Sequence, residues 1–272
     1  MRGGIVMAQF ITADTHFVHY AMLNLETRKH FESIEEMNET IIKNWNNKVG
    51  GEDTVYHLGD IALKMSNQPL FDLLKRLNGK IVFVKGNHDS LNTFNWLERE
   101  NYDYAKGRKF TFHEVGLIVP ENKKEYYLSH YPMDLGYESA KRRNFHGHIH
   151  EKTVDKESCL NVGIDSPEVG DRPFGEPIEW REAVAILEEK FRYTLENKSL
   201  NYQVIWLDEA RGIRKEHGQY NSIEEAYQSI EEWWKLHRFE PPYVRWLEQE
   251  NFIRIDYGSH TQFYEIVRVK LS

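Results

Sequence analysis

Residues 8–13 form a short, mostly apolar run that stops abruptly at Asp14, which predicts a buried strand ending in a polar loop. Apolar residues then recur at Ile34, Met37, Ile41, Ile42 and Trp45. That is helical spacing, so residues 34–45 predict an amphipathic helix, with Ser33 placed to cap it. Residues 53–58 predict a second strand, ending at Gly59-Asp60. Residues 69–77 predict a helix stopped by Asn78-Gly79. Residues 80–85 predict a third strand, ending at Gly86-Asn87-His88-Asp89. Strand, polar loop, helix, strand is the rhythm of an α/β fold. Further strands are expected near 109–113, 115–119, 125–130 and 159–164. Gly163, Gly170, Pro173 and Gly175 mark a loop, and a long helix fits 176–196.

Past this point the pattern changes. Asn197-Lys198-Ser199 reads as a polar hinge, dividing the chain into residues 1–197 and a small α+β module over 198–272. In the module, 202–207 predict a strand and 222–237 a helix capped by Asn221 or Ser222. Pro241-Pro242 blocks any continuation of that helix. Residues 251–257 and 261–269 alternate around Gly258-Ser259, which suggests a hairpin.

Composition narrows the function classes. The formal charge of −8 gives no global basic field to draw in nucleic acid. The single cysteine, Cys159, excludes an intramolecular disulfide and fits a reducing compartment. No apolar run approaches a membrane span. The apolar stretch before Asp14 is too brief for a signal peptide, so cytoplasm is the expected location.

The chemistry lies in five clusters: Asp14-Thr15-His16, Gly59-Asp60, Gly86-Asn87-His88-Asp89, His130 and Gly147-His148-Ile149-His150. Alone, each has an ordinary structural reading: a turn, a helix cap or a core histidine. In this order, with at least three following expected strands, they offer enough oxygen and nitrogen ligands for two metal ions. Hard oxygen with imidazole suits Mn, Fe, Zn, Co or Ni. In α/β folds such groups gather at the carboxyl ends of strands.

These motifs resemble those of the calcineurin-like metallophosphoesterase superfamily over roughly residues 8–196. The chain is similar to small bacterial and phage-type members in patterns such as the run from Glu52 to Asp60 and Glu36-Met37-Asn38. The resemblance implies a four-layer α/β/β/α sandwich. It implies two divalent transition-metal ions, one on Asp14, His16, Asp60 and His150, the other on Asp60, Asn87, His130 and His148. It implies that metal-bound hydroxide attacks a phosphomonoester or phosphodiester, with a nucleotide or cyclic nucleotide among the candidate substrates. His88 resembles the family histidine that stabilises the transition state or protonates the leaving oxygen, and Asp89 would orient it. A small phosphoester is the expected partner. The alternative is a nuclease or nucleic-acid-processing module that binds through its C-terminal part, but residues 198–272 carry ten Lys and Arg against twelve Asp and Glu.

Other residues have two readings. His19 is a substrate contact or a surface histidine. Arg142 and Arg143 hold a phosphate oxygen or form a solvated turn. His146 supports the site or is a plain loop residue, His57 is a buried structural histidine, and Asn161 and Asp165 support the ligands from behind. The tail aromatics, among them Trp206, Trp233, Trp234 and Trp246, build a core or stack bases.

Overall fold

The structure is a computed structural model that describes residues 7–135, 141–198, 200–249 and 251–270. The chain divides into two compact units between Phe191 and Arg192. The first unit contains, in order, β1 (Gln9–Thr12), α1 (Ile34–Lys48), β2 (Thr54–His57), α2 (Asn67–Leu74), β3 (Lys80–Val84), α3 (Leu91–Arg99), β4 (Phe110–His113), β5 (Gly116–Glu121), β6 (Lys124–Ser129), β7 (Arg142–His146), β8 (Cys159–Asn161), β9 (Ile178–Glu179) and the start of α4 (Trp180–Lys198).

Two sheets result. The first has the order β4-β3-β2-β1-β9, with β1 to β4 parallel and β9 antiparallel to β1. The second has the order β5-β6-β7-β8, parallel from β6 to β8. Strands buried on both faces favour continuous apolar runs, and the middle of each central strand shows this. Phe10, Val55, Ile81 and Phe83 pack toward Met37, Ile41 and Trp45 of α1 and Leu70, Leu74, Phe94 and Leu97 of α2 and α3. Their alternating neighbours Ile11, Tyr56 and Val84 belong to a second core with Tyr126, Leu128, Phe145 and Leu160, closed by Trp180, Ala183 and Leu187 of α4. Helices, sheet, sheet and helix make the α/β/β/α order that the motifs imply.

Local chemistry sets the helix starts. Ser33 Oγ accepts from Glu36 N at 3.1 Å, capping α1 as expected. Gly79, at φ +78°, turns the chain from the α2 region into β3, where a Cβ would meet Val49 at 2.8 Å.

Three expectations are corrected. Arg142 and Arg143 are not in a solvated turn: they open β7, and the Arg143 guanidinium is buried 3.5 Å from the Phe191 ring centroid and bonded to Glu188. Cation–π contact and the carboxylate let a charged side chain occupy an interior strand position. Asn197 and Lys198 are not a hinge but the last residues of α4, and Ser199 lies outside the described residues. The strand expected over 159–164 stops at Asn161.

The second unit has β10 (Leu200–Asp208), β11 (Ile213–Tyr220), α5 (Ile223–Leu236), β12 (Arg245–Glu248), β13 (Phe252–Asp256) and β14 (Gln262–Lys270). These five strands form an antiparallel sheet in the order β11-β10-β14-β13-β12. Ser222 caps α5, which buries Ala226, Ile230 and Trp234 against Val204, Ile255, Tyr264 and Ile266. Of the tail aromatics named above, Trp234 and Trp206 build this core, while Trp233 and Trp246 are exposed. No helix among the described residues is long and apolar enough to cross a membrane.

Candidate metal centre

All five clusters arrive at the carboxyl ends of adjacent strands: Asp14 after β1, Asp60 after β2, Asn87 after β3, His130 after β6, and His148 and His150 after β7. The strand ends are drawn tightly together. Asp14 N donates to Gly59 O and Gly147 N to His130 O, both at 3.0 Å. A Cβ on Gly86 would sit 2.1 Å from Asp60 Oδ1, and one on Gly147 would sit 2.6 Å from Asp14 Oδ2. Asp14, His16, Asp60, His148 and His150 all have positive φ, between 48° and 73°. Such backbone is unfavourable for these residues and persists where the surrounding structure enforces it, as at functional sites.

Two groups of ligand atoms converge. Asp14, His16 and His150 each bring one atom within 4.8 Å of the others, and so do Asp60, His130 and His148. Asp60 joins them: its Oδ2 is 3.4 Å from His16 Nε2 and 3.5 Å from His130 Nε2. Asn87 Oδ1 lies 2.8 Å from His130 Nε2 and 2.9 Å from His148 Nδ1.

The protonation pattern fits a cation. His130 Nδ1 must donate to the Leu58 carbonyl at 2.8 Å, which leaves a lone pair on Nε2 in the neutral ring. Burial holds His130 below the ordinary imidazole pKa, so that neutral form is favoured. Its Nε2 therefore faces the Asn87 oxygen, acceptor against acceptor. His150 Nδ1 donates to Asp165 Oδ2 at 2.8 Å, and although burial works against the charge, Asp165 and Asp14 raise its pKa, so a positive charge is favoured at its Nε2, from a proton or from a metal ion in its place. His16 Nε2 is buried without a hydrogen-bond partner, and burial, reinforced by Arg28 and neighbouring histidines, pulls its pKa down to about 2. Burial raises the Asp14 carboxyl to about 8. A divalent ion beside these groups would supply the charge that an anion in a dry site lacks.

The supporting contacts hold a surprise for sequence reasoning. Arg28 is fully buried and donates to both Asp165 oxygens, at 2.7 and 2.6 Å, and to the backbone carbonyls of Asp14 and Thr15. Burial works against the Asp165 anion, but Arg28 and His150 outweigh it and hold its carboxyl well below the usual range. Asp165 and Asn161 both support the site, as expected: Asn161 Nδ2 donates to the carbonyl of His150 at 2.8 Å. Nothing around Arg28 in the sequence marks it, since it sits in a polar, aperiodic stretch.

Asp89 is a correction. Its carboxylate does not orient the His88 ring. Instead Oδ2 accepts from Asp60 N and Gly86 N, both at 2.8 Å, and Oδ1 accepts from Ile61 N at 3.0 Å. Asp89 thereby ties the loop after β3 to the loop after β2. Burial lifts its pKa to about 6 against these donors. The His88 ring is at the rim, with Nε2 4.0 Å from Asp60 Oδ2, while its backbone N donates to Asp60 Oδ1.

His19 belongs to the site, with Nδ1 3.0 Å from His16 Nδ1 and its ring 5.5 Å from that of His88. His57 is buried and structural, with Nε2 2.9 Å from Thr15 Oγ1. His146 ends β7 and is buried, donating from Nδ1 to Gly147 O.

Comparison with known proteins gives the class. Residues 7–175 match the calcineurin-like phosphoesterase superfamily domain, and the chain belongs to that superfamily. It is a metal-dependent phosphoric ester hydrolase. An uncharacterized protein of Methanocaldococcus jannaschii is 35% identical over 169 residues, covering 57% of this chain and 81% of the relative. The gene 66 protein of Mycobacterium phage L5 is 25% identical over 183 residues, covering 58% of this chain and 86% of its own. Among solved structures, a protein of unknown function from Aquifex aeolicus shares the fold with a TM-score of 0.50 at 24% identity, covering 66% of this chain and 100% of that one.

Proposed function

We propose that this protein is a dinuclear-metal phosphoesterase that hydrolyses a small phosphomonoester or phosphodiester. The observation that carries the reading is the place of Asp60 Oδ2, between His16 Nε2 at 3.4 Å and His130 Nε2 at 3.5 Å. In this reading Asp14, His16, Asp60 and His150 would hold one ion, and Asp60, Asn87, His130 and His148 would hold the other. Bound there, two such ions would supply Lewis acidity to a phosphate and a nucleophilic water near neutral pH. His130 and His150 keep their outer nitrogens protonated on Leu58 O and Asp165, so their free nitrogens face inward as ligands. His88 is not a ligand here. Its ring is at the rim, where a proton can reach the leaving oxygen. Asp89 fixes the loop that carries His88 rather than the ring itself.

An activity panel of phosphomonoesters, phosphodiesters and cyclic nucleotides, run with Mn²⁺ or Zn²⁺, tests the reading. Metal-dependent turnover of at least one class, lost in Asp60→Ala, is expected. Full activity at one bound ion per chain would overturn the dinuclear assignment.

A further inference from the structure

The second unit contains a cleft of about 380 Å³ lined by Trp206, Lys215, Glu216, His217, Trp233 and Tyr264. Trp206 of β10 pairs in register with both Lys215 of β11 and Tyr264 of β14, so these three side chains form one row across the sheet. The register of β11 then slips: Val204 pairs with Gly218, but Ile205 pairs with Glu216, leaving His217 as an extra residue. In a regular strand, consecutive side chains face opposite sides. Lys215 therefore shares a face with Trp206 and Tyr264, Glu216, opposite Ile205, belongs to the row of the other face and borders the cleft only at its rim, and the extra residue sets the His217 ring against Tyr264.

The aromatic walls are held in place. The Trp206 indole N–H donates to the Tyr257 hydroxyl at 3.0 Å. Tyr264 is 1% exposed. His217 Nε2 donates to Ser229 O at 3.5 Å, and its ring stands edge-on to Tyr264 at 5.4 Å and to Trp233 at 6.2 Å. Trp233, from α5, is 41% exposed and leaves one side of the cleft open. At the mouth, Lys215 is exposed and makes no ion pair among the described residues. Glu216 receives only a long contact from the Gln219 amide, at 3.5 Å.

We propose that this cleft binds a mononucleotide, separately from the metal centre. Fixed aromatic side chains around a narrow space suit a flat heterocycle. The unpaired Lys215 suits a phosphate and repels a cationic ligand such as a methylammonium group. The acidic balance of residues 198–272 disfavours a long nucleic acid, so a free nucleotide is the occupant.

Tryptophan fluorescence and calorimetry of the full-length protein with adenosine 5′-phosphorothioate, adenosine and inorganic phosphate test the proposal. Saturable binding of the nucleotide is expected, weakened at least tenfold in Trp233→Ala. Lys215→Glu should weaken the nucleotide at least fivefold and leave adenosine unchanged. Both variants should turn over a generic aryl phosphoester as the parent does. Asp60→Ala, which disables the metal centre, should keep the binding, so failure of the phosphoesterase reading and failure of this one are separable. The proposal is overturned by absence of saturable binding, by inorganic phosphate competing as well as the nucleotide, or by binding that is lost in Asp60→Ala and intact in Trp233→Ala.

Discussion

His130 Nε2 and Asn87 Oδ1 lie 2.8 Å apart, and neither has a proton to offer the other. The His130 proton is committed to Leu58 O on the far side of the ring. Two lone pairs held this close by neighbouring strand ends repel unless a cation sits with them.

Metal uptake follows from that contact. The protein should saturate near two Mn²⁺ or Zn²⁺ ions per chain by elemental analysis, and Asn87→Ala should abolish hydrolysis and lower the metal content. Chelation should lower the melting temperature reversibly. An ion present at a thousand times its dissociation constant contributes about 4 kcal/mol. Saturation at one ion would contradict the paired arrangement around Asp60.

His88 and Asp89 adjoin in sequence but should behave differently. His88→Ala removes a rim imidazole, so it should retain metal and slow turnover by about 10²–10⁴-fold, as for a lost general acid. Asp89→Ala leaves the backbone N–H groups of Asp60, Ile61 and Gly86 without their carboxylate. It should loosen both loops, reducing metal content and stability together, with about 1–3 kcal/mol for each buried donor left unpaired. Metal loss in His88→Ala as complete as in Asp60→Ala would refute the role given to His88.

The buried pair of Arg28 and Asp165 should be costly to break. Arg28→Met leaves the buried Asp165 carboxylate with His150 and Thr27 as donors but without its guanidinium, and a loss of about 3–5 kcal/mol in a denaturant titration is expected. Because the folded Asp165 carboxyl titrates below its unfolded value of 3.8, the pair's contribution is complete above that pH and fades as pH falls toward the folded value. The stability gap between parent and Arg28→Met should therefore be level near neutrality and shrink in acid below about pH 4.

Truncation probes the division of the chain. Every candidate ligand precedes Phe191, and α4 ends at Lys198. We expect a fragment ending at Asn197 or Lys198 to be soluble by gel filtration and to bind metal by elemental analysis, with residues beyond it tuning substrate access or self-association. An insoluble fragment would refute independent folding of the first unit.

The pattern of apolar residues by itself determined the strands that carry Asp14, Asp60 and Asn87, the helices α1 and α5, and the β13–β14 hairpin. Each has a burial period that repeats within a few residues. The order of the polar clusters pointed to the candidate ligands, because these residue types at strand ends have few other uses in combination, and the family resemblance proposed how two ions would share them. Tertiary structure alone decided the rest. β7 begins with two arginines and reads as polar until Phe191 and Glu188 are seen to receive Arg143. β12 is exposed along its length, and β11 has no fully buried residue, so neither leaves an alternating trace. α3 buries only Phe94 and Leu97, too few for a clear helical period. Arg28 meets Asp165 across 137 positions, and Asp89 turns from His88, its neighbour, to amides up to 29 positions away. Local sequence records which face of an element is buried. It does not record which distant donor a buried carboxylate will find, because that depends on how the strand ends are brought together.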